Sequence, residues 1–464
     1  MMTQLVYGPA ATGTRLVKGQ IGTSVKAARR SVKAWERKLR AQFKRRRSRA
    51  RFIAVTGSSA KTTTTSLLAQ ILSSSFNTIS QIDQNAAINA IQAINSLNGS
   101  EDFVVLETAS AGPGQLAETM KVVKPDVAIV TMVAVEHYSA FRSIDAIAAE
   151  KSEAVRTLRP DGLAILNYDD ERVRAMAALT RARTVTFGGD GADYKITAST
   201  DADGFLTVTI ARHGRTLVLK TLLVGAFNAV TVAAAACCAL EMGIPDQAVA
   251  ESVANFAPFP GRMYREAIPG GPVFIVDSRK APYHSINLPI EALAAIQAPR
   301  KRFVLGQISD YAGNPRKKYR ETYLAARAIS DQVIFVGPHS HRSGATPEDI
   351  ASGLFRAFPN IEEAATYLKE TAIENEVILV KSSRNLHLER LLLAWLQDVR
   401  CWPEGCGVKT NCWSCGLYGR PFTEHGGDPR HYRPKKKRLK RVLDKLQFAS
   451  AKELRTLPRT PYFD

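Results

Sequence analysis

One short stretch limits the fold of this chain more than any other. The apolar run Phe52-Ile-Ala-Val55 leads straight into Thr56-Gly-Ser-Ser-Ala-Lys-Thr-Thr-Thr-Thr65, and a helical pattern, Ser66–Leu72, follows. A strand that ends in a tight turn and reopens as a helix behind a lysine and hydroxyls is the layout of a phosphate-cradling loop. In such a loop the backbone N–H groups of Gly57, Ser58, Ser59 and Ala60 and the helix N-terminus hold phosphates. Lys61 neutralises their charge, and Thr62, followed by Thr63, can ligate Mg²⁺. The spacing is tighter than Gly-x-x-x-x-Gly-Lys, and Ala60 stands where glycine usually precedes the lysine. An ordinary Ser/Thr-rich helix start would share part of this pattern.

The 464 residues allow two or three domains with substantial cores. The net charge of +20 is concentrated at the ends. Residues 1–51 carry +14 and residues 430–445 carry +8, so the body is close to neutral. Ends of this kind suit an anionic polymer, an acidic membrane surface or an acidic partner. Aromatic interleaving is sparse there and no nucleic-acid motif accompanies it, so nucleic acid is not the expected partner. The longest weakly polar runs, such as Val230–Leu240, fall short of the roughly 20 residues needed to span a bilayer. The N-terminus lacks the order of a signal peptide. The chain is therefore expected in the cytoplasm, with a peripheral place at the inner membrane face left open.

From 52 to about 260, short apolar strands alternate with helical stretches. Phe52–Val55, Phe103–Leu106, Val127–Val130 and Leu163–Leu166 read as strands; Ser66–Leu72, Ile88–Leu97, Gln115–Val122 and Ile144–Leu158 lie between them as helices. This alternation predicts a mostly parallel α/β sheet. Tyr194–Ile210 has the alternation of a small antiparallel patch, and Ala226–Glu241 reads as an alanine-rich helix. The pattern restarts after Gly261-Arg262 with Val273–Val276, Phe303–Leu305, Gln332–Val336 and Val377–Val380. The expected class is α/β. A P-loop nucleotide-binding domain (51–262) precedes a smaller Rossmann-like domain (263–400), between a basic N-terminal extension (1–50) and a Cys-rich, basic tail (401–464). Within the extension, Val25, Ala28, Val32, Trp35, Leu39 and Phe43 form a helical apolar stripe. That stripe suits either an anionic membrane or the chain's own body.

Ligands in a parallel sheet gather at the carboxyl ends of strands. Glu107 closes Phe103–Leu106 and is placed for Mg²⁺; Glu136-His137 follows Val127–Val130, and Lys151 lies on the next helix. Any one of these could be an ordinary residue, but at successive strand ends behind a phosphate loop they form a set.

With those residues in view, the chain resembles the ATP-dependent Mur ligases. The resemblance rests on Thr56–Thr63, Glu107, Lys124-Pro-Asp-Val-Ala-Ile-Val-Thr131, Glu136-His137, Ala149-Glu-Lys151-Ser-Glu153 and Leu166-Asn-Tyr-Asp-Asp170. It continues through Gly225-Ala-Phe-Asn228, Pro260-Gly-Arg262, Val276-Asp-Ser278, Ala281-Pro282 and Lys381-Ser-Ser-Arg-Asn-Leu-His-Leu-Glu-Arg390, covering about residues 50 to 395. The loop is nearest to that of the branch adding D-Ala-D-Ala to the peptidoglycan precursor. The resemblance implies that Lys61 and Thr62 bind the β/γ-phosphates and Mg²⁺, and that Glu107 and His137 serve the metal. It also implies that Lys151 is the lysine these ligases often carry as a carbamate. Asn228 would contact adenine, Arg262 would stabilise transferred phosphate charge, and Asp277 would hold the ribose or phosphate region.

The implied reaction uses ATP and Mg²⁺ to join a carboxylate to an amino acid or amine through an acyl phosphate. The alternatives are a folylpolyglutamate-synthase-like ligase, or a ligase-derived binding protein for an anionic polymer or membrane surface. Departures from the family pattern are Ala60, Phe227 where a histidine commonly precedes Asn228, Met132 in place of asparagine, and Arg279-Lys280 after the aspartate. The basic N-terminal stretch is shorter than the usual UDP-sugar-binding domain, which points to the carboxylate of another cell-envelope or capsule-type precursor. In the tail, Cys401-x4-Cys406-x5-Cys412-x2-Cys415 could hold a structural Zn²⁺ as four thiolates; an iron–sulfur cluster or free thiols are the alternatives. His425 and His431 could stand in as ligands, and Cys237 and Cys238 read as small core residues.

Overall fold

The computed structural model describes residues 31–82, 87–136, 138–408 and 410–425. A helix, α1, covers 31–47. It is followed by β1 (Arg51–Thr56), α2 (Lys61–Leu72), β2 (Thr78–Gln81), α3 (Ala87–Ser96), β3 (Phe103–Glu107), α4 (Gln115–Val123) and β4 (Val127–Val130). Next come α5 (Tyr138–Phe141), α6 (Ile144–Arg156), β5 (Leu163–Asn167), α7 (Glu171–Arg174) and β6 (Arg183–Gly188). A meander of β7 (Tyr194–Thr200), β8 (Phe205–Arg212) and β9 (Arg215–Val224) leads into α8 (Ala229–Glu241) and α9 (Asp246–Ala254).

These strands form one nine-stranded sheet in the order β2-β3-β1-β4-β5-β6-β7-β8-β9, parallel through β7 and antiparallel beyond it. The predicted strands recur with boundaries shifted by a residue or two. The predicted antiparallel patch is larger than expected, three strands that run on to Val224. Strand β2, Thr-Ile-Ser-Gln, was not evident in the sequence because it is short and half polar; β6 was likewise missed.

The order places β1 between β3 and β4, so the connections from β1 and β3 leave in opposite directions. That is a topological switch point, where the carboxyl ends of strands open a crevice. The phosphate-type loop starts there. Helix α8 closes the sheet's other exposure: its Thr231–Leu240 stretch is wholly buried, and its alanines and Cys237-Cys238 let it approach α2 closely.

The second sheet contains β10 (Tyr264–Ala267), β11 (Val273–Asp277), β12 (Lys301–Leu305), β13 (Gln332–Val336), β14 (Phe355–Phe358) and β15 (Val377–Lys381). Its order is β10-β11-β15-β12-β13-β14, with only β10 antiparallel. The helices α10 (Asn287–Ala295), α11 (Pro315–Arg327), α12 (Pro347–Ala351), α13 (Ile361–Thr371) and α14 (Arg390–Leu396) connect and cover it. Beyond α14 the described residues up to 425 stay on this body. Cys401, Cys412 and Trp413, the last two on the single turn α15 (Cys412–Cys415), join the same apolar cluster as Leu391 and Leu392.

Helix α1 docks by its polar side. Ala41 is fully buried, Lys44 Nζ donates to Asn95 O at 2.7 Å and Leu97 O at 2.6 Å, and Asn95 Nδ2 donates to Arg37 O. Arg45 donates to Val123 O and Lys124 O, carbonyls at the end of α4, and pairs with Asp126 at 2.8 Å. The apolar stripe of the same helix faces outward: Val32, Trp35, Leu39 and Phe43 are 63, 64, 43 and 58% exposed. Of the two destinations the sequence left open, the chain's own described body is therefore not the one that covers the stripe. Residues 24–30 of the predicted helix and the basic segment 434–448 lie outside the described residues.

Candidate active site

The loop after β1 is a cradle built by exclusion of side chains. Gly57 has φ +141°, and a Cβ there would stand 2.0 Å from Thr131 Oγ1. Thr131, just past β4, bonds Ser59 O at 2.7 Å, while Ser58 exchanges bonds with the following loop through Met132 O and Ala134. Asn167, the last residue of β5, and Asp170 just past it hold that second loop by Thr131 O and Val133 N. Three strand ends thus fix one turn. Ala60 caps α2 with φ 67°, so the left-handed conformation usual for glycine is kept by an alanine. An L-residue pays about 1–2 kcal/mol for that conformation.

Lys61 is buried, and its Nζ donates to Gly57 O at 2.5 Å and Ser58 O at 3.2 Å. Its ammonium also lies 3.8 Å from Glu136, whose other oxygen is 2.6 Å from the ammonium of fully buried Lys151. Burial pushes the Lys61 pKa down to about 7, against the pull of Glu136 and with the push of Lys151 and Lys280. Thr62 donates its hydroxyl to Glu107 Oε1 at 3.1 Å and accepts from Arg262 Nη2 at 3.1 Å. A threonine hydroxyl beside a carboxylate is a hard oxygen pair of the kind Mg²⁺ takes while keeping several waters. The loop's N–H groups beyond Ser58, the inward lysine and this pair fit a nucleotide phosphate with Mg²⁺.

Several of the residues singled out in the sequence share one cleft: Ser58, Ser59, Ala60, Lys61, Thr62, Thr63, Glu107, Asn228, Arg262 and Asp277. Gly57 underlies it. Lys151 is set back behind Glu136 and reaches the cleft only through that carboxylate. Asn228 commits its amide N–H to Val224 O at 2.8 Å, which fixes its orientation beside Phe227. Asp277 ends β11 and pairs in register with Lys381 at the end of β15; their side chains meet at 2.5 Å. His137 lies outside the described residues. The four tail cysteines are brought together elsewhere, around a second cavity.

Sequence reasoning gave no role to Glu136 beyond its place before His137, and it missed Lys381, Lys280 and His284. Lys381 and Glu136 were both inside motifs already noticed; their significance comes from cross-strand register and from what faces them, which a linear pattern does not carry. His284, on the turn Tyr283–Ser285, lines the cleft, and burial holds its imidazole toward the neutral form.

Residues 55–239 match the Mur ligase middle domain. The chain is 27% identical to the UDP-N-acetylmuramoyl-tripeptide--D-alanyl-D-alanine ligase of Escherichia coli K12 over 366 residues, 76% of this chain and 78% of the relative. It is 25% identical to the ligase of the same name from Mycobacterium tuberculosis H37Rv, across 75% and 73% of the two chains. Among solved structures, MurF from Acinetobacter baumannii superposes with a TM-score of 0.69 at 21% identity, covering 78% of this chain and 80% of that one. MurF from Thermotoga maritima in complex with ADP gives the same TM-score and identity over 78% and 83%. The structural likeness establishes the fold.

Two outcomes follow from the loop. Ala60→Gly removes the left-handed penalty and should raise stability by about 1 kcal/mol, read as a higher urea midpoint; a lower midpoint would show that the alanine is not strained. Lys61, with its pKa below the ordinary lysine value, sheds its proton in the folded chain before it would in the unfolded one. The unliganded protein therefore gains stability as pH rises from about 7 toward the ordinary lysine pKa. A bound polyphosphate restores the proton, so ATP binding at pH 8 should take up protons, seen as calorimetric heats that vary with buffer ionisation enthalpy, and the uptake should shrink below pH 7.

Proposed function

Taking the chain as an ATP-dependent amide ligase of the Mur type, we propose that it activates the carboxylate of a cell-envelope or capsule-type precursor and joins it to an amino acid or amine. The observation that carries this reading is the bond from Arg262, on the segment leading into the second α/β body, to Thr62 of the phosphate loop. A guanidinium on the loop's hydroxyl–carboxylate pair supports stabilisation of phosphoryl charge during transfer rather than nucleotide storage alone.

Lys61 and the N–H groups of Ser59–Thr63 hold the phosphates beside Gly57 and Ser58, and Glu136 governs the charge state of Lys61. Thr62 and Glu107 would hold Mg²⁺, with His137 assigned to the same ion by sequence alone; when bound, the ion would supply positive charge to the phosphate oxygens. Arg262 steadies the transferred group. Lys151 positions Glu136, and carbamylation would require it to leave that ion pair. Asn228 and Phe227 flank the base side, and the Asp277–Lys381 pair holds the sugar or phosphate side from the second body. Transfer of the terminal phosphoryl group of ATP to the substrate carboxylate gives an acyl phosphate and ADP. The amine attacks its carbonyl carbon, the C–O bond breaks, and phosphate leaves as the amide forms. Closure of the second body over the cleft would keep water from hydrolysing the acyl phosphate.

A second feature supports a place at the membrane surface. The outward stripe Val32, Trp35, Leu39 and Phe43 is flanked by exposed Lys33, Arg37, Arg40, Arg46 and Arg47. An apolar stripe bordered by cations fits an anionic lipid interface, at about 1 kcal/mol per basic residue near the surface.

Phosphate release from ATP and Mg²⁺ should require both an amine and a carboxylate fraction of a cell extract, and Lys61→Ala or Arg262→Ala should lower it by about 10²-fold or more. Release that ignores the amine and the acid would contradict the ligase reading. The chain should also sediment with vesicles containing phosphatidylglycerol and not with neutral vesicles, and Trp35→Ala/Leu39→Ala should reduce this severalfold. Equal sedimentation of the variant would remove the stripe from the membrane role.

A further inference from the structure

The stretch from α14 to His425 has a second cavity that nucleotide chemistry does not explain. Cys401, Cys406, Cys412 and Cys415 all line it, against His387 and Arg390. Cys401, Cys406 and Cys412 are buried, Cys415 is partly so, and no disulfide joins them. The backbone that carries them packs on the second body's core and is tied down by polar bonds. Arg390, 1% exposed, donates to Cys401 O at 2.6 Å, Pro403 O at 2.8 Å and Leu386 O at 3.0 Å. Asn411 caps α15 through Ser414 N at 2.8 Å, and that turn puts Cys412 and Cys415, three residues apart, on one face. The N–H groups of Arg400 and Cys401 both donate to Tyr418 O and close the loop.

A stretch without long helices or strands that lines one cavity with four soft ligands has the chemistry of a structural metal site. We propose that Cys401, Cys406, Cys412 and Cys415 bind one Zn²⁺ as a tetrathiolate. Four thiolates on Zn²⁺ carry a net double negative charge, and the buried Arg390 guanidinium against the cavity offsets part of it. Metal binding releases the thiol protons to solvent and leaves every oxidation state unchanged.

A rival ligand set exists within the same wall: His387, Glu389 and Cys412 offer atoms within 4.8 Å of one another. Glu389, however, already accepts from Cys412 N at 2.9 Å and from the Ser278 hydroxyl at 3.0 Å, and its Oε1 faces His387 Nδ1 at 3.2 Å. A carboxylate engaged on both oxygens is a poorer ligand than a thiolate at a soft site. In the proposed site His387 and Glu389 surround the ligands and orient them. Glu389 also ties the metal loop to Ser278, the neighbour of Asp277 in the cleft. The zinc module thus braces one wall of the nucleotide site.

The test uses the full chain and reads metal, not turnover. Elemental analysis of anaerobically purified protein should find about one zinc per chain. Titration of the native chain with an organomercurial should release that zinc completely, and cobalt substitution should give the thiolate charge-transfer bands of a tetrahedral site. Cys406→Ser and Cys415→Ser should lose the metal, whereas Cys238→Ser, in α8, should keep it. Under about a tenth of an equivalent of zinc, with no cobalt uptake by the unmodified chain, would overturn the proposal. So would retention of zinc in Cys406→Ser and Cys415→Ser together with its loss in His387→Gln, which would identify the rival set. The mercurial and cobalt measurements need no variant, so a substitution that fails to fold does not shelter the idea.

Discussion

The carboxylate of Glu136, between the ammonium groups of Lys61 and Lys151, is the interaction on which the site's arrangement depends. Lys151 is wholly buried and Lys61 nearly so. Neither ammonium could be held there without an acid, because an unpaired buried charge is strongly destabilising. One carboxylate shared by two lysines leaves each under-compensated, and burial then pulls Lys61 toward neutrality. The result is a cation that responds to an arriving anion. The same triad joins three pieces of the first sheet: the loop after β1, the loop after β4, and helix α6.

Around this triad the two sheets use the same device. In each, strand order brings chemically active side chains to adjacent strand ends, Glu107 beside the β1 loop in one and Asp277 beside Lys381 in the other. The bond between Arg262 and Thr62 joins the two bodies. On the proposed reaction that contact makes catalysis depend on how the second body is held. The cysteine module and α1 extend this outward: one braces the Ser278 side, and the other docks by its cations and leaves its apolar stripe facing out.

Much of this could be read from the sequence, because periodicity reports burial. The strands β1, β3, β4 and β5 each stood out as an apolar run, and the loop residues at their ends were found by chemistry and order. The features that escaped depend on contacts across the chain. Glu136 looked like a neighbour of His137 until the opposing lysines were in place. Lys381 was one residue of a motif until register set it against Asp277. The apolar stripe of α1 gave an orientation opposite to the usual one, since Lys44 and Arg45 find carbonyl and carboxylate partners that outweigh burying Trp35 and Phe43. The tail looked separate because its composition changes at Cys401, yet Cys401, Cys412 and Trp413 complete the second body's core.

On the proposed function, this cleft binds ATP through a metal-assisted phosphate site completed by the second body. Equilibrium dialysis of ATP against the full chain, with and without Mg²⁺, tests it most directly. Binding should strengthen at least about tenfold with Mg²⁺ and should be weakened comparably by Glu107→Gln or Arg262→Ala in its presence. Binding indifferent to Mg²⁺ and to both substitutions would contradict it.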